Sequence, residues 1–524
     1  YRQVEMRGGG GQWTIPLALR VLPFALPDPK TYYDLNSDFY AMLYVCGTGS
    51  IGTFMKRNGG DRKNAEKKLW ERLKSQAEHG YRDALYLGYR AGAVGEEQTA
   101  AGLALGAQGY NPAEGTVTVT VDPSVERGAI RAVNGVNNGP CTPMAGQNMG
   151  YYEKTYADAK IPFARTHDSI NCVSGGAHCC DINAIFPDFD ADENDPKNYD
   201  FVFTDHYLDN MKRAGTEVFF RLGQTIEHGP KKYGVLPPKD YAKWARICEH
   251  IVRHYTEGWA NGMRLKITYW EIWNEADLNP DKESSMTWAG TFDEYCAFYA
   301  VAARHLKAKF PHLKIGGPAS CGLYVAENPM ARGQVRYHVD CCIKFLDYVK
   351  KHDVPMDFFS FHSYSPVKPV LQQIASARRF LVERGLGDRE TWLNEWLCHV
   401  KHENLGTAFQ ASGVAAELIG MQNSELSGAC IYDARCGVGN YSPLFNPMTY
   451  KPHKAYYAYT SFNELRKLGK AVKVTTDGTR GLHACAAKGK TGAAILFAND
   501  TDAGIPVSCD IGGYRVVEVR YTDA

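Results

Sequence analysis

The sequence predicts an α/β protein built on a (β/α)8 barrel, with a C-terminal accessory β-sandwich and a short N-terminal extra region. Three observations carry this. From residue 129 onward, short β-rich runs alternate with amphipathic helical stretches eight times, the pattern of a parallel barrel. Two apolar strand candidates end in carboxylates, as expected where barrel strands open on a functional face. The chain of 524 residues holds one barrel of ~250 residues and leaves a similar length for other elements.

The strand candidates are 130–136, 163–167, 217–222, 267–273, 314–317, 357–362, 391–395 and 429–433. Between the third and fourth, Tyr241, Trp244, Ala245, Cys248, Ile251, Val252 and Tyr255 fall on one helical stripe. After the fourth, Thr291 and Glu294 form a capping box ahead of Phe298, Val301 and Ala302, and Pro311 closes that helix. The catalytic barrel is therefore expected over 129–452. Residues 453–524 read as a linking helix with Tyr457 and Phe462, then strands at 471–475, 481–486, 493–498 and 516–519. The alternating run 116–121 ends at Asp122-Pro123, and the segment 116–128 is expected to join that sandwich from the far end of the sequence.

Residues 1–115 read differently. An apolar strand region spans 13–26, after a glycine-rich lead from Gly8 to Gly11. Residues 61–79 read as a helix with Ala65, Leu69, Leu73 and Ala77 spaced four apart; Gly80 stops it, and 84–87 reads as a strand. These elements do not complete a nameable domain.

Composition narrows the function. Lys+Arg 59 against Asp+Glu 58 leaves a net charge of +1, so no global field favours nucleic acid or an anionic membrane. No uninterrupted apolar run reaches the ~18 residues of a membrane span. Aromatics make up 12% of the chain, which suits stacking surfaces as well as packing. The 15 cysteines read as buried or free thiols, without the paired CxxC spacing of zinc sites. His178, Cys179, Cys180 and Asp181 are consecutive and therefore point apart, so no metal is assigned to them and no cofactor is expected. The chain opens at Tyr1 rather than Met, which fits removal of a signal peptide or larger N-terminal region, and a secreted, periplasmic or cytoplasmic location stays open.

The chemistry concentrates at two strand exits, Trp273-Asn274-Glu275-Ala276-Asp277 on the fourth strand and Asn394-Glu395-Trp396 on the seventh. Burying a carboxylate beside tryptophans is costly without partners. Two of them across one barrel mouth are what glycosidic bond cleavage requires, one as proton donor and one as nucleophile or base.

These two motifs resemble the acid/base and nucleophile signatures of the retaining (β/α)8 glycosidases. Within that clan the chain is most similar to glycoside hydrolase family 39, the family of β-xylosidases and α-L-iduronidases. The likeness runs from about Val119 to the end and includes Asn134-Gly135-Val136-Asn137-Asn138-Gly139-Pro140 and Ile315-Gly316-Gly317-Pro318-Ala319. The resemblance implies Glu275 as general acid/base, Glu395 as nucleophile and Asn274 at the sugar 2-OH. It implies Arg165 as the cation that keeps the nucleophile ionised, and His362 and Tyr364 as lining of the catalytic subsite. Asp433 and Arg435 are sugar-binding candidates, His167 a further one, and Trp396 the expected sugar platform just beyond its strand. The sequence departs from the family at Ala276, where proline is usual, and in Arg165-Thr166-His167-Asp168, which bears on sugar specificity. The implied activity is a retaining exo-glycosidase on a terminal β-xyloside-like sugar of a plant or microbial glycan. An α-L-arabinofuranosidase or a non-catalytic carbohydrate-binding barrel is the alternative. The expected partner is an oligosaccharide or glycoside, without nucleic acid or membrane, and the family's habit of assembling leaves a homo-oligomer open.

Overall fold

The computed structural model describes residues 3–8 and 11–16 and, from 116 to 522, all but short stretches. Those stretches are 141–149, 170–177, 230, 399–403, 435–442, 447–449, 477–480 and scattered positions after 490. Strands β1 (Gln3–Gly8) and β2 (Gly11–Pro16) form an antiparallel hairpin. Gly8 and Gly11, the ends of the glycine-rich lead, pair with each other in this hairpin. The helix expected over 61–79 and the strand over 84–87 lie outside the described residues, as does Arg435.

Strand β3 (Val117–Ala129) comes next, followed by eight barrel strands: β4 (Gly135–Asn137), β5 (Phe163–Arg165), β6 (Glu217–Leu222), β7 (Tyr269–Ile272), β8 (Lys314–Ser320), β9 (Phe358–Ser363), β10 (Glu390–Trp396) and β11 (Gly428–Ile431). All eight pair in parallel, and β11 closes on β4, so the (β/α)8 barrel is complete. Helices alternate with them: α1 (Gly150–Asp158), α2 (Ile182–Ile185), α3 (Val202–Arg213), α4 (Tyr241–Thr256), α5 (Phe292–Lys309), α6 (Gln334–Lys351), α7 (Val367–Glu383) and α8 (Ala408–Gln422). The Asp240 carboxylate caps α4 by accepting from the Ala242 and Lys243 amides at 2.8 and 3.0 Å. The Thr291–Glu294 box forms reciprocally at the start of α5, satisfying amides that a helix end otherwise leaves bare.

The first barrel strand starts five residues later than the sequence suggests. Residues 130–134 instead leave the β3 sheet and brace the end of α8. The Ile130 amide donates to Gly469 at 2.9 Å, and the Arg131 guanidinium donates to the Met421, Ser424 and Leu426 carbonyls at 2.9, 2.6 and 2.6 Å. Those partners lie some 290 residues away, so no local pattern could show the boundary.

The bottom of the barrel is filled by aromatic rings. Phe219, Phe358, Trp392 and Cys430 form one buried cluster with Phe163 and Tyr269 packed against it. Tyr269 and Trp392 have ring centroids 4.6 Å apart, and Phe163 meets Trp392 edge-on at 5.5 Å. Each such pair adds roughly 0.5–1.5 kcal/mol beyond its buried area. Two glycines make room for the plug. A Cβ at Gly428 would sit 2.5 Å from the Trp392 ring, and one at Gly316 would sit 2.4 Å from the Phe358 carbonyl. With the bottom sealed by apolar rings, the polar side chains gather at the strand exits.

After the barrel come α9 (Lys454–Leu468), β12 (Lys470–Thr476), β13 (Leu482–Gly489), β14 (Gly492–Asn499) and β15 (Val507–Asp510). They form one five-stranded sheet with β3, in the order β14-β13-β12-β3-β15. Val117, Val119 and Val121 are buried and the threonines between them exposed, so the alternation of 116–121 maps onto one buried face. The final strand is 507–510, not 516–519. Val516 and Val519 lie outside any strand and are 63% and 74% exposed. Among the described residues the accessory element is a single sheet, with α8 and α9 packed on β13 and β14, rather than a two-layered sandwich. No helix among the described residues is long and apolar enough to cross a membrane.

Candidate active site

Strand register brings the candidate residues into one layer. Asn137 pairs with Arg165, and Glu395 pairs with His362. Glu275 follows β7, where the chain turns sharply; Trp273 has φ 74° and Glu275 φ 50°, a left-handed conformation that costs a side-chain-bearing residue energy. The turn is held from both sides. The Glu275 amide donates to the Ala319 carbonyl at 2.9 Å, and the Thr287 hydroxyl donates to the Glu275 carbonyl at 2.6 Å. Asp277 ties the same segment to the end of β8, accepting from the Ser320 hydroxyl at 2.5 Å and the Cys321 amide at 3.2 Å.

The two carboxylates meet at the mouth. One oxygen of Glu275 and one of Glu395 lie within 4.8 Å of each other, with His362 Nδ1 between them. His362 Nδ1 is 2.8 Å from Glu275 Oε1 and 3.8 Å from Glu395 Oε2. The same three donors have the spread of a cation site, but the imidazole and Glu275 already satisfy each other. The Tyr364 hydroxyl donates to Glu395 Oε1 at 2.7 Å.

Arg165 is fully buried at the exit of β5 and spends its fork on four acceptors. Nε donates to Glu271 at 2.8 Å, and Nη1 to Asn137 Oδ1 at 2.9 Å and to Glu395 Oε2 at 3.1 Å. Nη2 donates to Asn274 Oδ1 at 2.6 Å. Only a guanidinium presents donors in so many directions at once. Burial alone would raise the Glu395 carboxyl, but the charges of His362, His167 and Arg165, with the Tyr364 bond, hold it below the ordinary carboxylate range. Burial pulls His362 down while the carboxylates of Glu395 and Glu275 pull harder, so its imidazole sits above its usual value. In the same way Glu271 and Glu395 hold the buried Arg165 firmly charged. A pair of carboxylates so placed, with one of them held ionised, is what double displacement at an anomeric carbon needs.

Glu275, Glu395, Arg165, Asn274, His362 and Tyr364 thus come together, with His167 beside them, its Nε2 3.5 Å from Glu395. Asp433 is fully buried and accepts from Asn138 Nδ2 at 2.8 Å. Trp396 corrects an expectation. It is the last residue of β10 rather than beyond it, and its side chain is fully buried, so its ring is closed to a sugar. The pairing of β10 shifts register between Leu393 and Trp396, so Asn394 and Glu395 both reach the Arg165–Glu271 network and Trp396 is left packed in the wall. His178, Cys180 and Asp181 turn their side chains to separate partners. His178 Nδ1 is 2.7 Å from the Ser169 carbonyl, Cys180 donates to the His167 carbonyl at 3.1 Å, and Asp181 pairs with Arg221 at 2.8 Å.

The sequence reading missed Glu271. This fully buried acid on β7 accepts from Arg165 and from the Ser360 hydroxyl at 2.6 Å, and the Asn394 amide donates to it as well. A signal was present: a lone charge inside the apolar run Tyr269-Trp270-Glu271-Ile272 needs a buried counter-ion, and Arg165 was its candidate.

Known proteins match this chain as follows. A β-xylosidase of Geobacillus stearothermophilus is 28% identical over 226 residues, 41% of this chain and 40% of that protein. A β-xylosidase of Caldicellulosiruptor saccharolyticus is 28% identical over 176 residues, 32% of this chain and 31% of its own length. The chain thus spans well under half the length of these curated relatives. Among solved structures, a glucosidase from Croceicoccus marinus superposes with a TM-score of 0.59 at 24% identity, covering 75% of this chain and 79% of that one. A monomeric β-xylosidase from Caulobacter crescentus does so with a TM-score of 0.51 at 16% identity, covering 72% and 76%. At such identities these two speak for the fold alone. The family model of glycosyl hydrolases family 39 matches residues 117–381, half of the chain and most of the barrel just described, and the chain belongs to that family.

Proposed function

We propose that the protein is a retaining exo-glycosidase that removes a terminal β-xyloside-like sugar from a plant or microbial glycan. One observation carries the mechanism: the Arg165 fork reaches Glu395, while the partner of Glu275 is the neighbouring imidazole. That asymmetry supports Glu395 as nucleophile and Glu275 as acid/base. In the first step Glu395 attacks the anomeric carbon as Glu275 protonates the departing oxygen, through an oxocarbenium-like transition state. In the second, Glu275 takes a proton from water, and the water displaces Glu395 from the glycosyl ester. Carboxyl groups ~5–5.5 Å apart support retention, whereas inversion needs ~6.5–9.5 Å to seat a water between them. The approach of the two carboxylates, within 4.8 Å, favours the former. The sugar and the exo mode rest on the relatives named β-xylosidase.

Azide rescue tests the roles. With an activated aryl β-xyloside, Glu275→Ala should form the ester and stall, and azide should then yield a glycosyl azide of retained configuration. Glu395→Ala should be nearly inactive, and azide there should give the inverted product. A retained azide from the Glu395 variant would swap the two roles. Near-native turnover in both variants would place the chemistry elsewhere. A panel of aryl glycosides differing in the sugar tests the substrate.

A further inference from the structure

Next to Glu395 stands a carboxylate that the double displacement does not use. Asp168 leaves β5 three residues after Arg165 and is held where three strand exits converge. The Thr225 hydroxyl, beyond β6, donates to its Oδ1 at 3.0 Å, and the Tyr432 hydroxyl, beyond β11, donates to its Oδ2. His178 Nε2 lies 3.5 Å from Oδ1. A further contact runs toward the site. His167 Nδ1 is 2.8 Å from Asp168 Oδ1, and the other ring nitrogen, Nε2, is 3.5 Å from Glu395 Oε2. Neither ring nitrogen meets its carboxylate as an in-line hydrogen bond, so both are close contacts that pair charges only when the ring is protonated. The His167 side chain is 2% exposed, and its ring meets the Tyr432 ring edge-on at 5.7 Å, so it has little freedom to turn.

An imidazole between two carboxylates can present a proton to each only as the cation, with both nitrogens as donors. We propose that Asp168 is a positioning residue for Glu395, acting through His167: it orients the ring and keeps Nε2 a donor toward the nucleophile. This rests on the assignment of Glu395 as nucleophile. The groups facing Glu395 are Arg165 and His167 from the β5 exit, His362 and Tyr364 from β9 and Glu275 from β7. Glu271 lies behind Arg165. The charge of His167 is one of the influences that keep Glu395 below the ordinary carboxylate range.

The sign of the effect separates this role from its rivals. Asp168 is itself a negative charge. If it acted on Glu395 directly, removing it would ease ionisation of Glu395 and move the acid limb of the rate profile down. Acting through His167, its removal weakens the nearer positive neighbour and moves that limb up.

The experiment is the pH profile of kcat/KM on 4-nitrophenyl β-xyloside for wild type, Asp168→Asn, His167→Gln and the double variant. The near-isosteric Asp168→Asn should raise the acid limb by about half to one pH unit and leave the basic limb and KM in place. His167→Gln should move the same limb the same way, and the double variant should add little to it. A downward shift, a uniform loss without a shift, a rise in KM alone, or additive effects would each overturn the proposal. A wild type inactive on every glycoside would instead sink the functional reading. The coupling is then read by ring-15N NMR of His167: replacing Asp168 should move the Nε2 resonance, and Glu395→Gln should move Nδ1. If each change is felt only at the nearer nitrogen, the coupling does not exist.

Discussion

Arg165→Gln isolates what the buried cation does for the nucleophile. The amide keeps donors at the site but carries no charge, leaving Glu271 and Glu395 buried without their shared counter-ion. Breaking a buried pair by removing one partner costs about 3–5 kcal/mol, against a total stability of about 5–15 kcal/mol, so the variant should fold with a reduced margin. Glu271 keeps the Ser360 and Asn394 donors, which limits the damage there. For Glu395 an adjacent opposite charge shifts a carboxyl by about 1–3 pH units. His362 and His167 exert larger influences on it than Arg165 does, so the expected change is at the low end, about one unit or ~1.4 kcal/mol. Glu395 is a depressed carboxylate. Its contribution to stability is present above the unfolded carboxylate value and lost as pH falls through its folded value. Raising the folded value therefore moves the acid loss of activity to higher pH and shrinks the stability that the ionised carboxylate contributes above the unfolded value. The assay is kcat/KM against pH on an activated aryl xyloside, with urea unfolding over the same range. The acid limb should rise by about one unit, costing about tenfold in rate below it. A stability loss with an unmoved acid limb would make Arg165 a purely structural cation, and a shift of the basic limb would place its action on Glu275.

Three further perturbations follow from the same geometry. His362→Gln removes the largest positive influence on Glu395 and the 2.8 Å partner of Glu275, so both limbs of the pH profile should move, the acid limb by more than in Arg165→Gln. Tyr364→Phe deletes a 2.7 Å hydrogen bond to a carboxylate, worth about 1.5–3 kcal/mol, and steady-state kinetics should show about a 10–100-fold lower kcat/KM with the fold intact. Glu417 is fully buried, and burial pushes its carboxyl well up against the weaker opposing contact of the Cys398 thiol. A raised acid contributes stability below its unfolded value that is lost as pH rises toward the folded one, so Glu417→Gln should raise the urea midpoint at pH 7 and leave it unchanged below about pH 4.

The barrel was legible because most strands read locally as short apolar runs alternating with amphipathic helices, one of them opened by Thr291 with Glu294. Glu275 and Glu395 were legible for a related reason: a carboxylate at the end of an apolar strand has nowhere to go but the mouth. Features set by distant contacts were not legible. Arg131 turns toward carbonyls near residue 421 and so delays β4, which nothing between 130 and 136 records. The burial of Trp396 was not legible either, because β10 shifts register after Leu393 and a period-two rule cannot be carried across the shift. Val516 and Val519 have strand composition but no partner strand, and composition cannot supply one.

Arg165 shows why the fold and the chemistry of this site cannot be separated. Its acceptors come from β4, from β7 and its exit, and from β10, so the hydrogen bonds that lace the top of the barrel also set the charge of Glu395. Glu271 is the member that makes this work. With Glu395 as its only acid, Arg165 would be paired one-to-one and free to follow that carboxylate as it forms and loses a covalent bond. Bound also to Glu271 on the barrel wall, the guanidinium is fixed in place, and Glu395 moves relative to it. In the proposed double displacement Glu395 loses its charge on attacking carbon, and Arg165 keeps a full partner in Glu271 through the glycosyl intermediate.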